Sequence, residues 1–214
     1  MEIPKQYLKI RDRFILEHTI SRFTKLANIE GIVVVISKND TYWSSLDSSR
    51  EAMVMTATGG QERYHSVLNG LYRLDDVAAD NDWILVHDAA RPCVRSEDIT
   101  SLIEKLSDHP AGGLLGLPAR DTMKRADSSN EIICTIIREG LWHALTPQMF
   151  RKGMLQQAIE NAIRDNIGIT DEAQAMEHAG FKPKFIAGHP DNIKITHKND
   201  LPLAELFLLQ QERD

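Results

Sequence analysis

The sequence predicts an α/β fold on a mostly parallel, twisted sheet, and three observations carry that prediction. Apolar runs of strand length alternate with amphipathic stretches of helical period, the pattern of crossover units. Ile32-Val33-Val34-Val35-Ile36 is β-branched throughout and unalternating, as in a strand covered on both faces. Trp83-Ile84-Leu85-Val86 and Leu114-Leu115-Gly116-Leu117 have the same character. No internal repeat or long Pro/Gly/Ser linker interrupts the 214 residues, so they read as a single domain.

The elements follow in order. A helical period runs from Ile15 to Leu26 and precedes the strand at Ile32 to Ile36. A second strand, Met53 to Thr56, leads into a helix with Val67, Leu68, Leu71 and Leu74 on one face. After Trp83 to Val86, Ser96 with Glu97 and Asp98 reads as the cap and acidic first turn of a helix carrying Ile99, Leu102, Ile103 and Leu106. From Ala119 to Glu139 a polar stretch turns at Ser128-Ser129-Asn130 and returns as Ile132-Ile133-Cys134-Thr135-Ile136-Ile137, a hairpin arm. Its return strand is apolar at nearly every position, which calls for cover beyond its own arm, and a partner subunit would supply it. Met154, Leu155, Ala158 and Ile159 mark another helix, and Thr170-Asp171-Glu172 caps the next. The last helix starts near Asn199, has Pro202 in its first turn and is expected to point Leu203, Leu206, Phe207 and Leu209 inward.

Composition narrows the function classes. With 25 basic and 31 acidic residues the net charge is -6, so the field of the whole chain does not draw in nucleic acid or an anionic membrane. The longest uncharged apolar stretch, around Gly112 to Ala119, is far short of the roughly 20 residues that cross a bilayer. Two cysteines and no apolar signal-like N-terminus point to a reduced, cytoplasmic setting. No zinc-protease, redox, serine-hydrolase or P-loop motif is present.

What remains are polar clusters at strand ends, where open α/β sheets bind ligands. His87-Asp88-Ala89-Ala90-Arg91-Pro92 follows Trp83 to Val86 directly: Asp88 is either a turn former or, with Arg91 and two small alanines, part of a site. Thr58-Gly59-Gly60-Gln61-Glu62-Arg63 opens the helix containing Ser66, either as a plain turn or as paired glycines with positive φ and exposed backbone groups that read a base edge. Lys5 and Lys194 are embedded among apolar neighbours and either snorkel or serve a site. Arg120, Lys124, Arg125 and Arg138 gather on the arm.

These clusters occur in one order along the chain: PKQYL, ILEHT, GGQER with SVLNGL, WILVHDAARPC, DTMKRA, REGLWHALTPQ, ITDEA and NIKIT. Together they resemble the 2-C-methyl-D-erythritol 4-phosphate cytidylyltransferase family, over Pro4 to about Leu208. The resemblance implies a Rossmann-like nucleotidyltransferase domain, a homodimer joined through the hairpin arm, and Mg²⁺-dependent transfer of CMP from CTP to methylerythritol phosphate with loss of pyrophosphate. Carried over residue by residue, it implies that Lys5 and Lys194 neutralise the α-phosphate and that Asp88 orients metal or substrate. Gly59, Gly60, Gln61, Ser66 and Ala89 would frame the cytidine, with Gln61 where relatives often have an acidic residue. Arg91, Thr122, Arg138 and Thr146 would hold methylerythritol phosphate, Thr122 and Arg138 from the other subunit's arm. The family opens with a strand and a loop of the type A-A-G-x-G-x-R-M before PKQY, where this chain has Met1-Glu2-Ile3, so the chain is expected to leave neighbouring strands unpaired and to bind CTP poorly. The alternatives are a cytidylyltransferase for another polyol phosphate, and a non-catalytic dimer that binds a phosphate sugar.

Overall fold

The computed structural model describes residues 3–213. Met1 and Glu2, which stand where the family has its phosphate loop, lie outside the described residues. The elements run β1 (Lys9–Ile10), β2 (Arg13–Phe14), α1 (Ile15–Thr24), β3 (Ile32–Ile36), β4 (Val54–Thr58), α2 (Arg63–Arg73), β5 (Trp83–Val86) and α3 (Ser96–Leu106). They continue with β6 (Gly113–Pro118), β7 (Met123–Ala126), β8 (Ile132–Ile136), β9 (Trp142–Arg151), α4 (Lys152–Arg164), α5 (Glu172–His178), β10 (Lys184–Ala187) and α6 (Leu201–Gln211).

The central sheet is mixed, in the order β10-β6-β9-β5. Three of its strands, β10, β6 and β5, share one direction, and β9 alone runs antiparallel to its neighbours β6 and β5. The chain leaves β6, runs out and back through the β7–β8 hairpin and returns as β9 beside β6, the Ala119 N–H donating to the Leu141 carbonyl at 2.9 Å. A return by way of a hairpin brings the chain back antiparallel, whereas a parallel return needs a crossover. The sequence reading placed no strand there.

Strand alternation sorts the core into two layers. Leu114, Phe150, Ile84 and Val86 face α2, α4 and α5, whose Leu68, Leu71, Leu155, Ile159 and Met176 complete one cluster. Their neighbours Leu115, Met149, Trp83 and Leu85 face α3 and Phe23 of α1 on the other side. Gly112 sits at φ +73 where a Cβ would lie 2.2 Å from the Met149 carbonyl oxygen, so the entry to β6 passes β9 too closely for any side chain.

Strands β3 and β4 form a separate parallel pair, from Ile32 opposite Val54 to Ile36 opposite Thr58. Helix cover reaches both faces of β3, Val34 packing with Tyr7, Leu16 and Ile20, and Gly70 of α2 abutting Val35. Yet Val34 is its only fully buried residue, in contrast to the expected complete cover, because one edge has a strand neighbour and the other has none among the described residues. Strand β5, at the edge of the central sheet, pairs with β9 alone among the described residues.

Two further expectations need correction. The N-cap of α3 is Arg95, whose side chain donates to Asp191 at 2.7 Å rather than capping the helix, and Ser96 is already its first residue. In α6, Ala204 and Leu208 are buried while Leu203 and Leu206 stand outward, since this helix is apolar all round and period cannot pick its inner face. The hairpin β7–β8 pairs Met123 with Ile136 and turns through Asp127, whose Oδ1 accepts the Ser129 and Glu131 N–H groups. Cys93 is buried, Cys134 exposed, and both are free.

Candidate active site

The site begins where β5 ends. His87 is half-buried, its ring 5.0 Å from Phe23, with Nε2 3.0 Å from the Arg91 carbonyl oxygen and Nδ1 2.9 Å from Thr146 Oγ1. A carbonyl oxygen only accepts, so Nε2 carries the proton and Nδ1 accepts from the Thr146 hydroxyl. Burial pushes the imidazole down to about 4, which keeps it neutral. The same Thr146 oxygen accepts the Asp88 N–H at 3.1 Å, fastening the loop after β5 to β9. Thr146 therefore belongs to the site, but its hydroxyl holds the loop and Thr146 is itself buried.

Three cations converge on Asp88. Lys194 Nζ lies 3.0 Å and Arg91 Nε 3.2 Å from Oδ2, and Arg63 Nη2 lies 3.5 Å from Oδ1. Burial works against the charge, but the hydrogen bond and charge of Lys194, with Arg63 and Arg91, outweigh it and hold the carboxyl at about 2. Arg91 also donates to the Asn192 carbonyl at 2.8 Å, and buried Asn192 donates from Nδ2 to the Thr146 carbonyl at 2.8 Å. Arg63 is gripped by Glu172, Nη1 to Oε1 at 2.6 Å and Nη2 to Oε2 at 3.1 Å. Three cationic side chains thus face two carboxylates, leaving one positive charge in surplus on a chain whose net charge is -6. Such a local surplus suits an anionic ligand.

The glycine turn is built differently from expectation. Neither Gly59 nor Gly60 has positive φ. Gly60 is required for space instead, since a Cβ there would lie 2.4 Å from His65 Cβ at the start of α2. The Gly59 N–H donates to the Ile36 carbonyl and the Gly60 N–H to Ser66 Oγ, so neither is free to meet a base in this state. Gln61 and Ala89 are exposed at the rim, the Ala89 carbonyl accepting from Thr19 Oγ1 at 2.9 Å.

Lys5 opens a short 3₁₀ turn anchored by buried Tyr7, whose hydroxyl donates to Asp40 at 2.7 Å. It lines a cleft of about 620 Å³ with Leu8, Ile195, Thr196, His197 and Lys198, immediately beyond Lys194. Thr122 and Arg138 lie apart from this cluster on the exposed hairpin, where Arg138 Nη1 donates to the Arg120 carbonyl. The sequence reading missed Arg63, Glu172, Gln148 and Asn192. Each stood inside a motif or strand that had a sufficient local reading, as helix opening, cap or apolar run.

The profile of the 2-C-methyl-D-erythritol 4-phosphate cytidylyltransferase family matches residues 1–210. The chain belongs to that family. The cytidylyltransferase of that name from Hahella chejuensis is 46% identical over 215 positions, covering 100% of this chain and 89% of that one. The Vibrio vulnificus enzyme is 47% identical over 211 positions, 99% of this chain and 89% of its own. A crystal structure of 4-diphosphocytidyl-2C-methyl-D-erythritol synthase superposes with a TM-score of 0.87 at 39% identity, covering 96% of this chain and 95% of that one. The Francisella tularensis cytidylyltransferase gives a TM-score of 0.87 at 34% identity, over 96% of this chain and 93% of that chain. A cytidylyltransferase of this family handles anions at both ends of its reaction, which matches a strand end crowded with Lys194, Arg91 and Arg63.

Proposed function

We propose a division of labour at this strand end for the family's reaction, transfer of a cytidylyl group from CTP to 2-C-methyl-D-erythritol 4-phosphate with release of pyrophosphate, a step of isoprenoid biosynthesis. The observation that carries it is the convergence of Lys194, Arg91 and Arg63 on Asp88 at the end of β5. The nucleophile is a phosphate oxygen that is already anionic, so no general base is needed. The difficulty is bringing anions together and stabilising charge at the α-phosphorus.

Lys194 and Lys5 neutralise the α-phosphate and the charge that develops on it. Arg91, held by Asp88 and the Asn192 carbonyl, orients the acceptor phosphate. The 59–61 turn, Ser66 and Ala89 frame the nucleoside. Thr122 and Arg138 complete the acceptor pocket from a second subunit, whose contact through the β7–β8 hairpin covers its exposed isoleucines. Neutral His87 and Thr146 hold the loop in place and move no proton in the transfer.

Among the described residues no group of three or more acidic, His or Cys side chains could hold a metal ion on its own. Mg²⁺ at nucleotide sites takes one or two carboxylates and completes its shell with phosphates and water, and Asp88 fits that role. When bound, Mg²⁺ supplies charge neutralisation of the triphosphate.

The test is pyrophosphate release from CTP and methylerythritol phosphate with Mg²⁺. Release is expected, and Lys194→Ala is expected to lower kcat by on the order of 100-fold with CTP affinity less affected. Equal release with another polyol phosphate would replace the acceptor, and binding of the acceptor without release would leave a phosphate-sugar binding protein.

A further inference from the structure

Glu172 is 1% exposed, at the first turn of α5. Its two oxygens take both terminal nitrogens of Arg63, at 2.6 and 3.1 Å, and the second of those nitrogens continues to Asp88 at 3.5 Å. Its own position is fixed from below. Gln148 of β9, buried, accepts the Ala173 N–H at 2.8 Å and donates to Asp171 Oδ2 at 3.0 Å, so the start of α5 is tied to the sheet. A planar guanidinium gripped on both nitrogens has one orientation available, where a lysine would leave a freely rotating point charge. Burial opposes the charge on Arg63, but the hydrogen bond and charge of Glu172 overcome it and keep the guanidinium firmly protonated.

We propose that Glu172 is a positioning residue of the transfer site, acting through Arg63 to hold the Asp88 carboxylate against Arg91 and Lys194. The inference rests on the transfer reading given above. Its function is geometric: Asp88 is met by Lys194 and Arg91 on Oδ2 and by Arg63 on Oδ1, so Arg63 sets the rotation of the carboxylate and thereby where Lys194 stands when substrate arrives.

Steady-state pyrophosphate release is measured for the parent chain, Glu172→Gln, Arg63→Lys and the double variant. Each single change is expected to lower kcat by on the order of 10-fold, because reacting groups lose alignment. KM for both substrates is expected to stay within about 3-fold, since Glu172 is buried behind Arg63 and Arg63→Lys keeps the positive charge. The double variant is expected to fall no further than the worse single, as for two members of one linkage. An unchanged kcat in either variant, or effects that multiply in the double, would overturn the proposal. Should Glu172→Gln fail to fold, Arg63→Lys decides on the same criteria. A parent chain that releases no pyrophosphate would bring down the transfer reading instead. In that event crystal structures of the parent and of Arg63→Lys decide the positioning role: a rotated Asp88 carboxylate supports it, and an unmoved one overturns it.

Discussion

His87 makes stability depend on pH at the scale of one side chain. Its imidazole is pushed by burial from the ordinary 6.5 down to about 4. Between those values the unfolded chain binds a proton that the folded chain refuses, so stability is fully present above 6.5 and declines as pH falls toward 4. The loss amounts to about 3 kcal/mol across that window. His18, lowered chiefly by burial, adds in the same direction. Asp88 acts in a lower window, its contribution being lost only as pH drops through the usual carboxylate range toward 2. Denaturant unfolding is expected to weaken steadily from pH 7 to 4.5, and His87→Gln to flatten that dependence; an identical slope in the variant would remove His87 as its source. Asp88, Arg91 and Lys194 were legible in sequence because each is a charged residue among apolar or small neighbours. Arg63 and Glu172 were not, since they stand 109 residues apart and only folding pairs them.

The hairpin β7–β8 poses the question of cover at the scale of an element. Ile132 and Ile133 are 65% and 62% exposed, and Ile137 is 77% exposed, so the apolar return strand is left uncovered within the chain. A lone two-stranded hairpin is marginal in water, and this one carries exposed apolar surface besides. If a second copy covers it, the chain sediments as a dimer at micromolar concentration and Ile133→Lys sediments as a monomer with its own fold intact. A parent chain that sediments as a monomer would discard the arm as the joining element. The opposite lesson comes from β9, whose polar interruptions and Pro147 hide a strand from any reading of period. In the fold, Thr146 and Gln148 are buried on it with their hydrogen-bonding groups taken by the loop after β5 and by the start of α5.

At the scale of the whole molecule, alternation and β-branched runs were enough to reveal the helix-covered sheet and its ligand-bearing strand ends. The reversed strand β9 was not legible, because a run has no arrow until its connection is known. The division of the sheet has a further consequence. Strands β6 and β9 are flanked by strands on both edges, whereas among the described residues β3 and β4 have only each other. Opening the β3–β4 pair therefore breaks one ladder and leaves the other four strands intact, which makes it the cheaper cooperative unit. Native-state hydrogen exchange is expected to show the amides of Ile32–Ile36 losing protection at lower denaturant than those of β6 and β9. A single common protection level would mean that the helices weld the two parts into one. With separate levels, the β3–β4 pair, which leads into the 59–61 turn, opens apart from the sheet that carries Asp88, and a nucleoside held by that turn would slow the exchange.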